Sequence, residues 1–502
     1  MSRSTRGGGE LPRTLGRRRA LQSVVTLAAS QLGGIAGASA LGCGEAGTSG
    51  ANGDRVTRAL ANLRGELPNK VSVPGTPEFS SAVSLWAKGR HVPQFVVHCS
   101  DTSDVQRAVR AAREAGLPLA VRGGGHDWAG RALSSGLVLD LSPMRAVNIG
   151  VDRLDIRVGG GALAVDALRV SDPLGLALAT GSIDTVGLAG LTLGGGYGPL
   201  AARFGLACDN LIRAEVVLAD GSVTIADDVG GDADLIWALR GGGGNFGVVT
   251  ALELRLHPVP LVRSGVILYP REQALTIFAG VAAVLDAAPD ALGLQAGMIP
   301  APNGDSVVGV LPTWSGAPDL GQAVIAQLAA LGSPIMMDVS EQTFGASRAA
   351  AGRGLASGLQ THIETVWLRR LDPEPVRVLV EQIERRPSPL CFFMTHPFRG
   401  EATRVAPEAT AFGHREQHVM IEIIAQSAAP SASDGSVERD WARQTLQRLL
   451  PLALPGGYGN LLARSDTTRA SQSYGPNAGR LRELKRRFDP DGVFSSAIPL
   501  PG

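Results

Sequence analysis

The sequence predicts an α+β protein with two domains, and three observations carry that reading. A strand–helix–strand pattern with α/β character runs from Phe95 to Arg122. Strand-like apolar runs and clusters of glycine then dominate to about Pro260. Beyond Pro258-Val259-Pro260 the glycine density falls, and strands alternate with helical segments from 261 to 455.

In order, Phe95–His98 reads as a strand and Ser103–Ala115 as a helix. Ser103 is its expected cap, and Val105, Ala108, Val109 and Ala112 form its apolar stripe. A shorter helix is expected around Ala82–Ala87. Leu119–Arg122 is a second strand that runs directly into Gly123-Gly124-Gly125-His126. Leu137–Leu141, Asp155–Val158, Ala214–Leu218 and Val248–Leu256 follow as strands, with Asp220-Gly221 as a hairpin turn. Asp234–Arg240, Gln273–Asp286, Leu320–Leu331 and residues 475–488 read as helices. No internal repeat is present.

The N-terminus reads as an address. Arg17-Arg18-Arg19 precedes an apolar, small-residue stretch, and Ala38-Ser39-Ala40 fits a cleavage site. Residues 1–40 are therefore expected to be a signal peptide of the twin-arginine type, giving an exported protein, periplasmic or extracellular. A disordered basic tail is the competing reading. Leu41-Gly42-Cys43 offers a lipid-attachment cysteine, and lipidation of Cys43 is the only route to a membrane that the sequence leaves open. Residues 41–54 read as a linker, 55–260 as the first domain, 261–455 as the second, and 456–502 as a segment returning to the first.

A formal charge of +1 with no basic stripe argues against a nucleic-acid partner. The cysteines, Cys43, Cys99, Cys208 and Cys391, form neither a CxxC pair nor a zinc spacing, so no metal is expected.

The chemistry concentrates in residues 121–247. Arg122-Gly123-Gly124-Gly125-His126, Thr185-Val186-Gly187, Gly194-Gly195-Gly196-Tyr197-Gly198 and Gly241–Gly244 with Asn245-Phe246-Gly247 each offer bare backbone to a phosphate or a flat ring. A tight turn explains any one of them, but not four in one region with a histidine fused to the first. Pro199 after Gly198 rules out a nicotinamide Rossmann turn, and no P-loop lysine motif occurs.

At these motifs the chain resembles the berberine bridge enzyme-like oxidases, within the vanillyl-alcohol oxidase type of flavoproteins. The stretches are VRGGGH at 121–126, TVGLAGLTLGGGYG at 185–198, GLACDNL at 205–211, WALRGGGGNFGVV at 237–249 and YGPNAGRLRELKRRFDP at 474–490. The resemblance implies FAD lying extended between two α/β subdomains, and a substrate domain made of an antiparallel sheet covered by helices. It implies a covalent bond from His126 to the flavin 8α-carbon; a loop-capping histidine is the competing reading. Arg122, Gly123, Gly124, Gly125, Asp127, Thr185, Val186, Gly187, Gly190, Gly195, Gly196, Gly247, Val248 and Asn477 are implied to surround the cofactor. Relatives with a second, cysteinyl link carry it where this chain has Ile183, so a single attachment is expected. Val186 stands where a valine accompanies use of molecular oxygen.

The expected reaction is hydride transfer from a small organic molecule to the flavin, with reoxidation by oxygen to hydrogen peroxide. A dehydrogenase using another acceptor and an inactive flavin-bearing binding protein stay open as alternatives. Glu422 is the candidate base. It is a lone carboxylate in the apolar run Val419–Ile424, with Met420 and Ile424 on its face, and burial would raise its pKa. A half-exposed outward charge explains it nearly as well. Tyr197 matches a family active-site tyrosine, against simple aromatic packing. Trp128 replaces a family tyrosine and is expected to form an apolar pocket wall, with Tyr458 as a weaker pocket candidate. His414-Arg415 reads as a structural pair.

Overall fold

The computed structural model describes residues 50–88, 91–353, 357–428, 434–495 and 498–500. The expected leader and Cys43 lie outside them. Gly50–Glu66 is a helix, so the expected linker 41–54 is helical from Gly50 onward.

The first layer is a four-stranded sheet in the order Val71–Ser72, Phe95–His98, Leu137–Asp140, Leu119–Arg122. Its last three strands are parallel, which requires a crossover connection. The helix Thr102–Ala115 provides it, burying Val105, Ala108, Val109 and Ala112. Its cap is Asp101, not Ser103: the Asp101 carboxylate accepts from the Asp104 N–H at 3.0 Å. Gly116, at φ 64°, ends the helix. The early short helix is Pro77–Val83, earlier than expected, because Thr76 caps it and Pro77 fits its first turn.

The second sheet has six strands and is antiparallel, with Val248–Pro258 at its centre between Asp155–Gly159 and Leu211–Val217. Leu211–Val217 and Val223–Asp227 form the hairpin expected at Asp220-Gly221, where Gly221 takes φ 78°. Leu481, Leu484 and Phe488 of the C-terminal helix Ala478–Phe488 join this sheet's core.

The third sheet has eight strands, drawn from residues 262–454, in an order that sets Leu292–Pro300, Phe392–Phe398, His418–Ser427 and Gln360–Leu368 side by side. All its pairings are antiparallel. Helices Ala274–Ala287, Pro318–Ala329, Pro373–Glu384 and Ser436–Leu449 cover one face, where Phe278, Ile325, Leu379 and Trp441 pack on Leu294, Phe393 and Ile421. The α+β class follows, since antiparallel pairing dominates and the parallel part is confined to the first layer.

The uncovered face of this sheet turns toward the glycine-rich loops. Phe392, Ile363 and Ile424 pack with Trp128. Phe398, Trp367 and Met420 pack with Tyr197. Buried Arg415 clamps the two domains with paired bonds to Asp209 at 2.7 and 2.9 Å. Among the described residues no helix is long and apolar enough to cross a membrane.

Candidate active site

Two parallel strands end together at Arg122 and Asp140. Arg122 Nη1 donates to Asp140 at 2.8 Å, and His98 Nδ1 lies 3.1 Å from the other carboxylate oxygen. Burial opposes ionisation of Asp140, but the bonds from His98 and Arg122 outweigh it and hold the carboxyl below its ordinary range. This buried anchor fixes the start of the Gly123–Gly125 loop.

That loop meets the Thr185–Gly187 loop backbone to backbone. A Cβ on Gly124 would lie 2.5 Å from Gly187 Cα, so no side chain fits between them. Gly190, just beyond, is exposed with nothing within 4 Å of a built Cβ, and Thr185 is exposed beside it. Arg348, buried, donates to the Ser182 carbonyl at 3.2 Å and to Thr313 at 3.1 Å, tying this loop to the third sheet.

His126 follows the first loop and stacks on Trp86, with ring centroids 5.0 Å apart at 12°. Burial pushes its imidazole below the usual pKa, and the nearby Glu422 charge opposes that only in part. His126 is thus neutral near pH 7, with a nitrogen lone pair free to act as a nucleophile.

Glu422 projects from the third sheet beside Met394 and Thr365, its cross-strand neighbours. It is not the lone carboxylate the sequence suggests: His396 Nε2 lies 2.9 Å from its Oε2. His396 Nδ1 in turn lies 2.9 Å from the Gln295 amide nitrogen. Trp128, buried, donates its indole N–H to the Leu461 carbonyl at 3.2 Å and presents an apolar surface toward Ile424 and Phe392.

Tyr197 is placed differently from a proton acceptor. His418 Nδ1 lies 2.7 Å from the Glu416 carbonyl, so it must carry the ring proton. Nε2 is then an acceptor, and the Tyr197 hydroxyl donates to it at 2.7 Å. Burial pushes His418 down to about 3 and the Tyr197 phenol well above its usual value. The phenol is committed inside a cluster of Phe398, Phe412, Trp367 and Tyr458. Tyr458 is closed in likewise: its hydroxyl accepts from Gly196 N–H at 3.0 Å and Asn460 at 2.9 Å, and burial pushes it up to about 12.

Other expected cofactor neighbours also make contacts within the protein. Asp127 accepts from Ala129 and Ala132 N–H at 3.2 and 3.0 Å and pairs with Arg131, which holds the Gly459 and Asn460 carbonyls. A Cβ on Gly195 would meet Phe412 at 3.0 Å, on Gly196 Ala207 at 2.4 Å, and on Gly247 Val216 at 2.5 Å. These glycines admit protein atoms. Val248 sits in the core of the first layer, and Asn477 donates to the Pro407 and Thr410 carbonyls at 2.8 and 2.9 Å.

His396, Gln295, Trp86 and Arg348 were not singled out from sequence. A signal existed for two: Gln295 in Leu292–Met298 and His396 in Phe392–Phe398 are polar residues in apolar strands, as Glu422 is.

The residues fit a flavin dinucleotide. A side-chain-free seam at Gly124 and Gly187, open space at Gly190, and a neutral histidine beside them suit a planar ring joined to an anionic pyrophosphate. The comparisons agree. Residues 93–227 match the FAD binding domain family and residues 457–501 the berberine and berberine-like family. The chain is 29% identical to the FAD-linked oxidoreductase aurO of Gibberella zeae, covering 87% of this chain and 86% of that protein. It is also 29% identical to (R)-6-hydroxynicotine oxidase of Paenarthrobacter nicotinovorans, covering 85% and 95%. The crystal structure of 6-hydroxy-D-nicotine oxidase from Arthrobacter nicotinovorans superposes with a TM-score of 0.78 at 25% identity, over 86% of this chain and 98% of that one. Xylooligosaccharide oxidase from Myceliophthora thermophila shares the fold, with a TM-score of 0.77 at 22% identity over 89% and 99%.

Fold and site together define an FAD-binding oxidoreductase. In residues 93–227 and 457–501 and in its fold the chain is similar to the berberine bridge enzyme-like FAD-linked oxidases.

Proposed function

We propose that this enzyme carries FAD on a single covalent bond to His126 and oxidises a small organic molecule at the expense of oxygen. The observation that carries the proposal is the nearness of two groups: neutral His126 at the end of the glycine seam, and Glu422 on the substrate sheet, close enough for the Glu422 charge to act on the His126 ring. Bound FAD would supply a hydride acceptor at N5 and pass the two electrons to oxygen, giving hydrogen peroxide.

The chain's own groups do the rest. The carboxylate of Glu422 takes the proton that the substrate's O–H or N–H gives up as its neighbouring carbon loses hydride. Trp128, Ile424 and Phe392 supply an apolar wall that orients the substrate and excludes water. Ile183, unable to form a thioether, leaves His126 as the one anchor. The basic and apolar order of residues 1–40 supports export of the loaded protein.

The test begins with acid precipitation. The pellet should stay yellow, and a peptide containing His126 should carry the flavin mass; flavin released entirely to the supernatant would overturn the covalent link. A screen of alcohols, sugars, amines and phenols should find a compound that reduces the flavin anaerobically. Oxygen should then reoxidise it with peroxide release. Reduction that oxygen does not reverse would instead assign a dehydrogenase.

A further inference from the structure

We propose that Gln295 and His396 are positioning residues for the base: together they fix one tautomer of His396, whose Nε2–H holds one oxygen of Glu422 and leaves the other for the substrate. The proposal rests on the reading of Glu422 as the proton acceptor and names what sets its orientation.

The three residues stand on three adjacent strands of the substrate sheet: Gln295 on Leu292–Pro300, His396 on Phe392–Phe398, and Glu422 on His418–Ser427. The links between them are each 2.9 Å. A carboxylate only accepts, so His396 Nε2 must carry the proton that faces Glu422. The Gln295 amide nitrogen only donates, so His396 Nδ1 must be bare. These two demands admit the neutral Nε2–H tautomer and no other, and an imidazolium would set an N–H against the amide N–H.

The choice of partner has a chemical consequence. A lysine or arginine beside Glu422 would bring a full positive charge and weaken it as a base. Neutral imidazole orients the carboxylate without that charge. Gln295 is the residue that keeps the imidazole in this state. His396 and Gln295 are both only partly buried, and they line a small cavity shared with Tyr197, Pro199 and Arg399.

The primary test needs no substrate. In flavin-loaded enzyme with ¹⁵N-labelled imidazoles, the His396 resonances are identified by their loss in His396→Gln. Near neutral pH they should show a protonated Nε2 and an unprotonated Nδ1. A protonated Nδ1, alone or in an imidazolium, overturns the proposal.

The second test is anaerobic flavin reduction by a substrate taken from the peroxide screen. Gln295→Glu is close to isosteric, yet its carboxylate would accept from Nδ1–H while Glu422 accepts from Nε2–H, so the ring becomes an imidazolium whose positive charge weakens Glu422 as a base. It should slow reduction about 10- to 100-fold with little change in KM. His396→Leu should lose as much, whereas His396→Gln, which keeps an N–H near the Nε2 position, should stay within about fivefold of the parent. Leu and Gln variants that behave alike would reduce His396 to packing and overturn the proposal. Glu422→Gln in the same series separates the two readings. If its rate is undiminished, Glu422 is not the base. If its rate collapses while His396→Leu matches His396→Gln, the base stands and only the positioning pair falls.

Discussion

Two histidine-centred networks lie on the same face of the eight-stranded sheet, and they have opposite fates. His396 is bonded to Glu422 and Gln295, and its side chain and that of Glu422 are 14% and 16% exposed. His418 stands on the neighbouring strand, paired with Phe398, and is bonded to Tyr197 and the Glu416 carbonyl. Its ring stacks on Phe398, 4.5 Å away, and packs against Trp367 and His414. The first network keeps a partly exposed ionisable acceptor. The second spends every polar atom of the Tyr197–His418 pair internally. Residue type alone does not separate them, since each holds a histidine and a proton-transferring partner. Burial does: a fully buried group that can change its protonation only by leaving a buried bond serves structure, and a partly exposed one with a free lone pair serves chemistry.

Removing the acceptor from the open network gives the largest effect. Glu422→Gln keeps shape and a hydrogen bond but cannot take a proton. Flavin reduction in anaerobic stopped-flow should fall by about 10²- to 10⁴-fold, with flavin content unchanged. A rate within a few-fold of the parent would erase the functional difference between the two networks.

How far this was legible in the sequence differs between the two sides of the cleft. The glycine loops could be read directly, because a side-chain-free seam such as Gly124 against Gly187 demands a residue type that stands out in a sequence. The α+β class and the amphipathic helix at Val105–Ala112 could be read from periodicity. The cap at Asp101 was missed because Asp101, Thr102 and Ser103 all offer capping oxygens, and only geometry selects one. Gly195, Gly196 and Gly247 mark close approach, but of Phe412, Ala207 and Val216, and a sequence does not say what approaches. The partners of Glu422 were hidden for a topological reason. His396 and Gln295 lie 26 and 127 positions away in the chain, and only the order of the strands brings them into line.

The closed network should respond in stability, not in rate. Tyr197→Phe removes the donor to His418 Nε2 and leaves that nitrogen buried without a partner. The cost should be about 1–3 kcal/mol in urea unfolding. Flavin reduction should stay within about fivefold of the parent, since the phenol is committed to His418 and not to the substrate. A loss of rate rivalling that of Glu422→Gln, with stability unchanged, would place Tyr197 in the chemistry after all.

The smallest effect comes from protons. Burial lowers His418 to about 3 in the folded protein, against 6.5 for an unperturbed histidine. Below pH 6.5 the unfolded chain binds a proton that the folded chain refuses. The stability that neutral His418 contributes is therefore fully present above pH 6.5 and is lost as the pH falls from there toward 3. Between pH 6.5 and 5.5 this group should account for about 1 kcal/mol. His418→Gln keeps an acceptor for Tyr197 but does not titrate. Urea unfolding of both proteins at the two pH values should show the parent losing about 1 kcal/mol more than the variant. Equal pH dependence in His418→Gln and the parent would mean that the closed network admits protons, and that the distinction between the two histidines is one of position and not of burial.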